Sequence, residues 1–152
     1  MENILDRETV VEGHSFDFNI YYEDTDLSGF VYHPNYLKYF ERAREHLIGV
    51  SYLMDLMGRG YHFVVTKASL SYLYPARFGD LVRVESSCRF SASPSVPFVQ
   101  SAHLLINGEK VKELVRAEIS LVILDMDNRP VRMPQFALQY FNERALEIQS
   151  NG

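Results

Sequence analysis

The sequence predicts an α+β domain with an antiparallel sheet of five strands. Three observations carry that prediction. One alternating run opens the chain, one long amphipathic helix follows, and four β-rich runs joined by turn signals fill the rest before a last helix. The 152 residues, with 47% hydrophobic and 23% charged, suit one domain over 1–152 with an ordered core at about 14–148.

The first strand is predicted from His14, because Phe16, Phe18, Ile20 and Tyr22 share one face and Ser15, Asp17 and Asn19 the other. The polar stretch Glu23–Gly29 then breaks the alternation. The helix is predicted over Asn35–Ile48. Tyr36, Phe40, Ala43 and Leu47 form its apolar stripe, with Leu37 and Ile48 at the margin, and Gly49 lies just past its end. A short helix, Tyr52 to Met57, precedes Gly58 and Gly60. Strands follow at Phe63–Tyr74, Leu81–Phe90, Phe98–Ile106 and Val111–Leu124. The last two are joined by Asn107–Gly108, the strongest two-residue hairpin signal. Asp125–Pro130 reads as a loop and Phe136–Ile148 as a terminal helix, with Ser150–Gly152 fraying.

Charge and cysteine count narrow the function classes. The net charge of −5 offers no basic face for phosphates, so nucleic acid is an unsuitable partner. The single cysteine, Cys88, forms no internal disulfide and reads as a core residue. Residues 1–8 lack the apolar stretch of a leader, and no window reaches the roughly 20 apolar residues of a membrane span. A cytoplasmic location is the resulting expectation.

The turn before the long helix carries the chemistry. A helix N-terminus presents unpaired N–H groups and about half a positive charge, which polarise a carbonyl placed there. Asp24 and Asp26, two apart, would point to one side of an extended chain, and two nearby carboxylates raise the pKa of one of them. Gly29 allows a sharp turn or a close approach by substrate. The same residues are also ordinary capping and loop residues, and spacing alone leaves both readings open. Asp24, Asp26 and His33 match no metal-ligand spacing, so no metal is assigned. Asp125-Met126-Asp127-Asn128 starts like a calcium loop but has Arg129-Pro130 where the glycine turn belongs.

The stretch Tyr22-Glu23-Asp24-Thr25-Asp26-Leu27-Ser28-Gly29-Phe30-Val31-Tyr32-His33-Pro34-Asn35-Tyr36-Leu37, continued by Phe40-Glu41-Arg42-Ala43-Arg44, resembles the signature of hotdog-fold thioesterases. The nearest groups are the 4-hydroxybenzoyl-CoA thioesterase family and its Tol–Pal-associated acyl-CoA thioesterase branch. Tyr72–Arg77 resembles the family's segment after the second strand, and Val96–Gln100 matches more weakly. The resemblance implies a hotdog fold, with the sheet wrapped around the Asn35–Ile48 helix, and hydrolysis of an acyl-CoA or acyl carrier protein thioester. It implies no cofactor, and a homodimer or homotetramer with active sites at the subunit interface.

By the same resemblance Asp26 is the essential carboxylate, as nucleophile or as general base, and the backbone N–H at His33 is the oxyanion donor. A His at that position points to the Tol–Pal-associated branch, and its imidazole is a candidate for orienting water or protonating the thiolate. Gly29, Tyr32 and Ser95 are the substrate-binding candidates, Ser95 as part of a loop before the fourth strand. Arg77, Arg89, Arg116, Arg129 and Arg132 are unranked candidates for the CoA phosphates. Two rivals stand beside this reading: a hotdog hydratase or dehydratase, whose His and acid arrangement is absent here, and a non-catalytic acyl-CoA sensor. Against the sensor stand the intact Asp26 and a short acidic start with no room for a DNA-binding extension.

Overall fold

The computed structural model describes residues 8–151, so the expectations for the start of the chain and for Gly152 lie outside the described residues. The elements are β1 (Thr9–Asn19), a 3-10 turn (Tyr22–Asp24), α1 (Asn35–Ile48), α2 (Val50–Gly58), β2 (His62–Tyr72), β3 (Leu81–Phe90), β4 (Ser95–Ile106), β5 (Glu109–Leu124) and α3 (Gln135–Asn151). The strands form one antiparallel sheet in the order β1-β3-β4-β5-β2. The expected α+β class and strand count hold.

Alternation positions the core. Val82, Val84, Cys88 and Phe90 of β3 and Val115, Ala117, Ile119, Leu121 and Ile123 of β5 are all buried, as the sequence predicts. On β4 the predicted face holds for Phe98, Gln100 and Ala102. It then fails, because register shifts after Ala102 and after Leu104 bury Leu105 and expose Ile106. Asn107 at φ 53° and Gly108 at φ 79° make the hairpin turn into β5.

Against this face lies α1, with Phe40, Ala43 and Leu47 fully buried. Its bounds match the prediction, but its buried stripe differs. Leu37 is exposed, whereas Tyr39 and Arg44 are buried. Arg44 is held by a polar chain through the core: its guanidinium donates to Gln100 Oε1 (3.1 Å), and Gln100 Nε2 donates to Phe40 O (3.0 Å) and Ser86 Oγ (2.9 Å). Burial pushes the Arg44 pKa down, as expected for a cation removed from water with only a neutral acceptor.

Three other expectations need correction. The first strand begins at Thr9, with an irregularity between Val11 and His14, and ends at Asn19. Tyr22 enters the 3-10 turn and is exposed instead of joining the core face. Ser95 is the first residue of β4 and not part of a loop. Ser150 and Asn151 continue α3, which at 17 residues is longer than the 14-residue α1. No described helix is long and apolar enough to cross a membrane.

Candidate active site

The loop from Asp24 to Pro34 is fixed by its backbone. Asp26 N–H donates to Phe30 O (2.9 Å) and Gly29 N–H to Asp26 O (3.0 Å), closing a tight turn with Gly29 at φ 82°. No atom lies within 4 Å of where a Gly29 Cβ would stand, so glycine is needed there for conformation and not for space. Val31 N–H donates to Ala76 O (2.9 Å), and Phe30 bridges to Arg77, which laces the loop to the segment after β2.

The two carboxylates do not act as a pair. Asp24 is half-buried in the 3-10 turn, where its Oδ2 accepts from Tyr21 N–H (2.8 Å) and its other oxygen lies 3.4 Å from Asn35 Nδ2. Asp26 is exposed, and its Oδ1 accepts from both the hydroxyl of Ser28 and the Ser28 N–H (2.9 Å). Those two donors, the hydroxyl first, hold the Asp26 carboxyl below the usual carboxylate range. The raised pKa expected for one of them is not found at Asp26, where the shift is a depression. The Tyr22–Asp24 turn, absent from the extended-chain reading, turns Asp24 to a structural role.

At the start of α1 no side chain caps the helix. The N–H groups of Asn35, Tyr36 and Leu37 fold back to the carbonyls of Tyr32, His33 and Pro34 (2.9, 3.3 and 3.1 Å), and Pro34 has no N–H. The His33 N–H has no acceptor among the described residues. Asp26 and His33 both line one cleft of about 270 Å³, together with Ser28, Phe30, Tyr36 and Tyr72. Tyr72 donates its hydroxyl to His33 O (3.2 Å) and presents its edge to the imidazole, with centroids 5.8 Å apart. Tyr36, pushed up to about 12 by burial, keeps its hydroxyl without a hydrogen-bond partner among the described residues.

Of the residues singled out in the sequence, the structure thus brings Asp26 and His33 together, and Gly29 shapes the turn between them. Tyr32 stacks at a tilt on His33 (5.4 Å) but is absent from the cleft lining; its backbone N–H anchors to Asp24 O (2.8 Å). Ser95 is not brought to this cleft within the chain. It pairs with Val122, near the His62 end of β2, whereas the cleft lies at the Tyr72 end. Sequence reasoning passed over Ser28, Tyr36 and Tyr72 as site residues. Ser28 two residues after an Asp is a signal for the side-chain contact it makes, while the tyrosines read as core and strand positions.

This arrangement puts a carboxylate in one cleft with His33, just before a helix start, whose amide has no acceptor among the described residues, and that suits attack on a carbonyl. The sequence profile of the thioesterase-like superfamily matches residues 21–141. The "Acyl-CoA thioester hydrolase YbgC" of Escherichia coli is 31% identical over 127 residues, covering 82% of this chain and 92% of that one. The "Acyl-CoA thioesterase YbgC" of Haemophilus influenzae is 32% identical over 130 residues, covering 81% and 90%. The fold is shared with a 1,4-dihydroxy-2-naphthoyl-CoA thioesterase from Synechocystis, at TM-score 0.74 and 16% identity over 94% of this chain and 98% of that one. Sheet, buried helix and loop agree with the hotdog architecture, and the chain belongs to the thioesterase-like superfamily.

Proposed function

We propose that the chain hydrolyses acyl-CoA thioesters to a free acid and coenzyme A in the cytoplasm, with Asp26 as the reacting carboxylate. The observation that carries this is that His33, whose N–H has no acceptor among the described residues, lines the same cleft as the exposed Asp26. The thioester oxygen accepts from that N–H, and the helix start stabilises the charge that forms on attack. Two routes balance. Asp26 attacks the carbonyl carbon, expels the thiolate and leaves an acyl anhydride that water cleaves; or Asp26 takes the proton of a water that attacks. The depressed Asp26 pKa favours the first, since it keeps the carboxylate ionised and makes it a poor base at neutral pH. The His33 imidazole supplies the proton to the departing thiolate; a His33→Ala variant with full turnover removes that role.

An acyl carrier protein thioester is the alternative substrate, and a homodimer or homotetramer completes the reading. β2 is an edge strand paired only with β5 among the described residues, and Val65 to Ser69 are exposed. Two β2 strands paired antiparallel would set the Tyr72 end of one chain against the His62 end of another. A second cleft of about 510 Å³, lined by Arg44, Leu53, Met57 and Phe63, would then stand beside the Asp26 cleft of the other copy. The decisive measurement is thiol release across short, long and aromatic acyl-CoAs, beside Asp26→Asn. Wild type should turn over at least one, and Asp26→Asn should lose on the order of 10³-fold in kcat. Equal slow rates for both proteins would sink the proposal.

A further inference from the structure

If the substrate is an acyl-CoA, as proposed above, a chain of net charge −5 must still gather cations for its phosphates. The structure separates the arginines that the sequence leaves unranked. Arg89 pairs with Glu8 (3.5 Å) and Arg116 with Glu113 (2.9 Å), so both are already engaged. Arg129 and Arg132 follow Leu124, which pairs with His62, so they stand apart from the Asp26 cleft of their own chain and approach only that of a partner copy in the antiparallel pairing of β2. Arg77 is different. Its guanidinium lies over the Phe30 ring at 5.0 Å, and Phe30 lines that cleft. A second cation repeats the arrangement: Lys112 Nζ stands 3.3 Å from the centroid of Tyr74, which also lines the cleft. Neither Arg77 nor Lys112 has a carboxylate partner within 4.0 Å among the described residues.

We infer that Arg77 and Lys112 form the site for the phosphates of the coenzyme A moiety, a phosphorylated nucleotide tail, at the mouth of the Asp26 cleft. An aromatic ring holds a cation without neutralising it, so the charge stays available while the side chain is already confined. Tyr74 and Arg77 are three residues apart, so their Cα atoms lie within about 11 Å, and both rings that hold the cations, Phe30 and Tyr74, line the one cleft. Leu73 N–H and Tyr74 N–H both donate to Leu114 O (2.8 and 3.1 Å), which ties the segment to the strand bearing Lys112.

The test is Arg77→Gln with Lys112→Gln, measured on an acyl-CoA and on the matching acyl-pantetheine, which has the same thioester and no nucleotide. The double variant should lower the ratio of kcat/KM for acyl-CoA to that for acyl-pantetheine by roughly tenfold or more, given charge-assisted contacts discounted for exposure. It should also weaken binding of free coenzyme A, measured by calorimetry, and flatten the salt dependence of that binding. An unchanged ratio, or equal losses on both thioesters, overturns the assignment. The binding arm separates this inference from the hydrolysis it rests on. If wild type cleaves no thioester but binds coenzyme A through these two residues, the hydrolysis fails and the site stands. Coenzyme A affinity untouched by the double variant ends it.

Discussion

The two ends of α1 are built in opposite ways. At the C-terminal end its carbonyls are closed off by α3: Arg144 Nε donates to Leu47 O (2.8 Å), Tyr140 Oη to Ile48 O (2.5 Å), and Gly49 N–H returns to Glu45 O (2.7 Å). A cation at that end also complements the helix dipole. At the N-terminal end there is no side-chain cap, and the His33 N–H has no acceptor among the described residues. Leaving out a cap costs about 1 kcal/mol, which a helix anchored firmly at its other end can bear. Stability is concentrated at one end, and the unmet hydrogen-bonding capacity that a substrate can use is kept at the other.

Substitutions at the two ends should therefore separate activity from stability. Asp26→Asn, beside the open end, should cost on the order of 10³-fold in kcat and move the unfolding midpoint little, since the side chain is exposed and an amide oxygen still accepts from Ser28. Arg144→Ala, at the closed end, should cost about 2 kcal/mol of stability, from a charged donor lost at two carbonyls, while kcat per folded molecule holds. Chemical denaturation and turnover on the same preparations check both. If Arg144→Ala lowered kcat as steeply as stability, the two ends would be coupled and the division drawn here would fail.

The turn feeding the open end comes next in size. Gly29→Ala must place a Cβ at φ 82°, costing roughly 1–2 kcal/mol by strain although nothing blocks the added atom. Because Gly29 N–H closes on Asp26 O, relief of that strain moves Asp26, so kcat should fall together with stability. Full turnover in a destabilised Gly29→Ala would show that the turn holds the loop without aiming the carboxylate.

How much of this the sequence disclosed follows the same division. The bounds of α1 were legible, because apolar residues repeat at helical spacing and Gly49, at φ 102°, stops it. The inward faces of β3 and, from Val115 onward, of β5 were legible because their alternation there is unbroken. Legibility failed where a side-chain contact, distant or local, overrides the periodic pattern. Arg44 reads as a solvent-facing helical residue until Gln100, 56 positions away, meets it in the core. The likeness of Tyr22 to a strand residue ends because Asp24 folds back on Tyr21 N–H. Asp26 and His33 were named from the motif. The cleft itself needed Tyr72 and Tyr74, which enter only when Val31 pairs with Ala76.

The closed end should also carry a pH dependence. His14 Nε2 sits 2.8 Å from His46 Nδ1, with Arg144 close by. Burial, then His46, then Arg144 lower the His14 pKa from 6.5 to about 4. Above pH 6.5 His14 is neutral whether folded or unfolded and adds no slope. As pH falls from 6.5 towards 4, the unfolded chain takes up a proton that the folded chain refuses, so stability drops; below about 4 the loss is complete. Unfolding midpoints between pH 7 and 4 should fall in wild type and fall less in His14→Gln, which keeps a hydrogen-bonding side chain beside His46. Identical slopes would place the acid sensitivity elsewhere.

The smallest expected effect lies at the open end and is the most specific to the mechanism. Ser28 holds Asp26 ionised by two donors, and only the hydroxyl is removed in Ser28→Ala. The backbone N–H remains, so the Asp26 pKa should rise toward the ordinary value of about 3.9 without passing it. If Asp26 reacts as its carboxylate, the acid limb of kcat/KM moves up by the same amount, and the rate at pH 7 barely changes. A general base would respond differently, because a higher pKa makes it stronger and the neutral-pH rate should rise. The acid limb falls close to the range where His14 destabilises the fold, so the comparison belongs in a His14→Gln background, with the carboxyl shift of Asp26 followed in parallel. A limb that stays fixed while the carboxyl shift moves would mean that the group limiting the rate in acid is not Asp26.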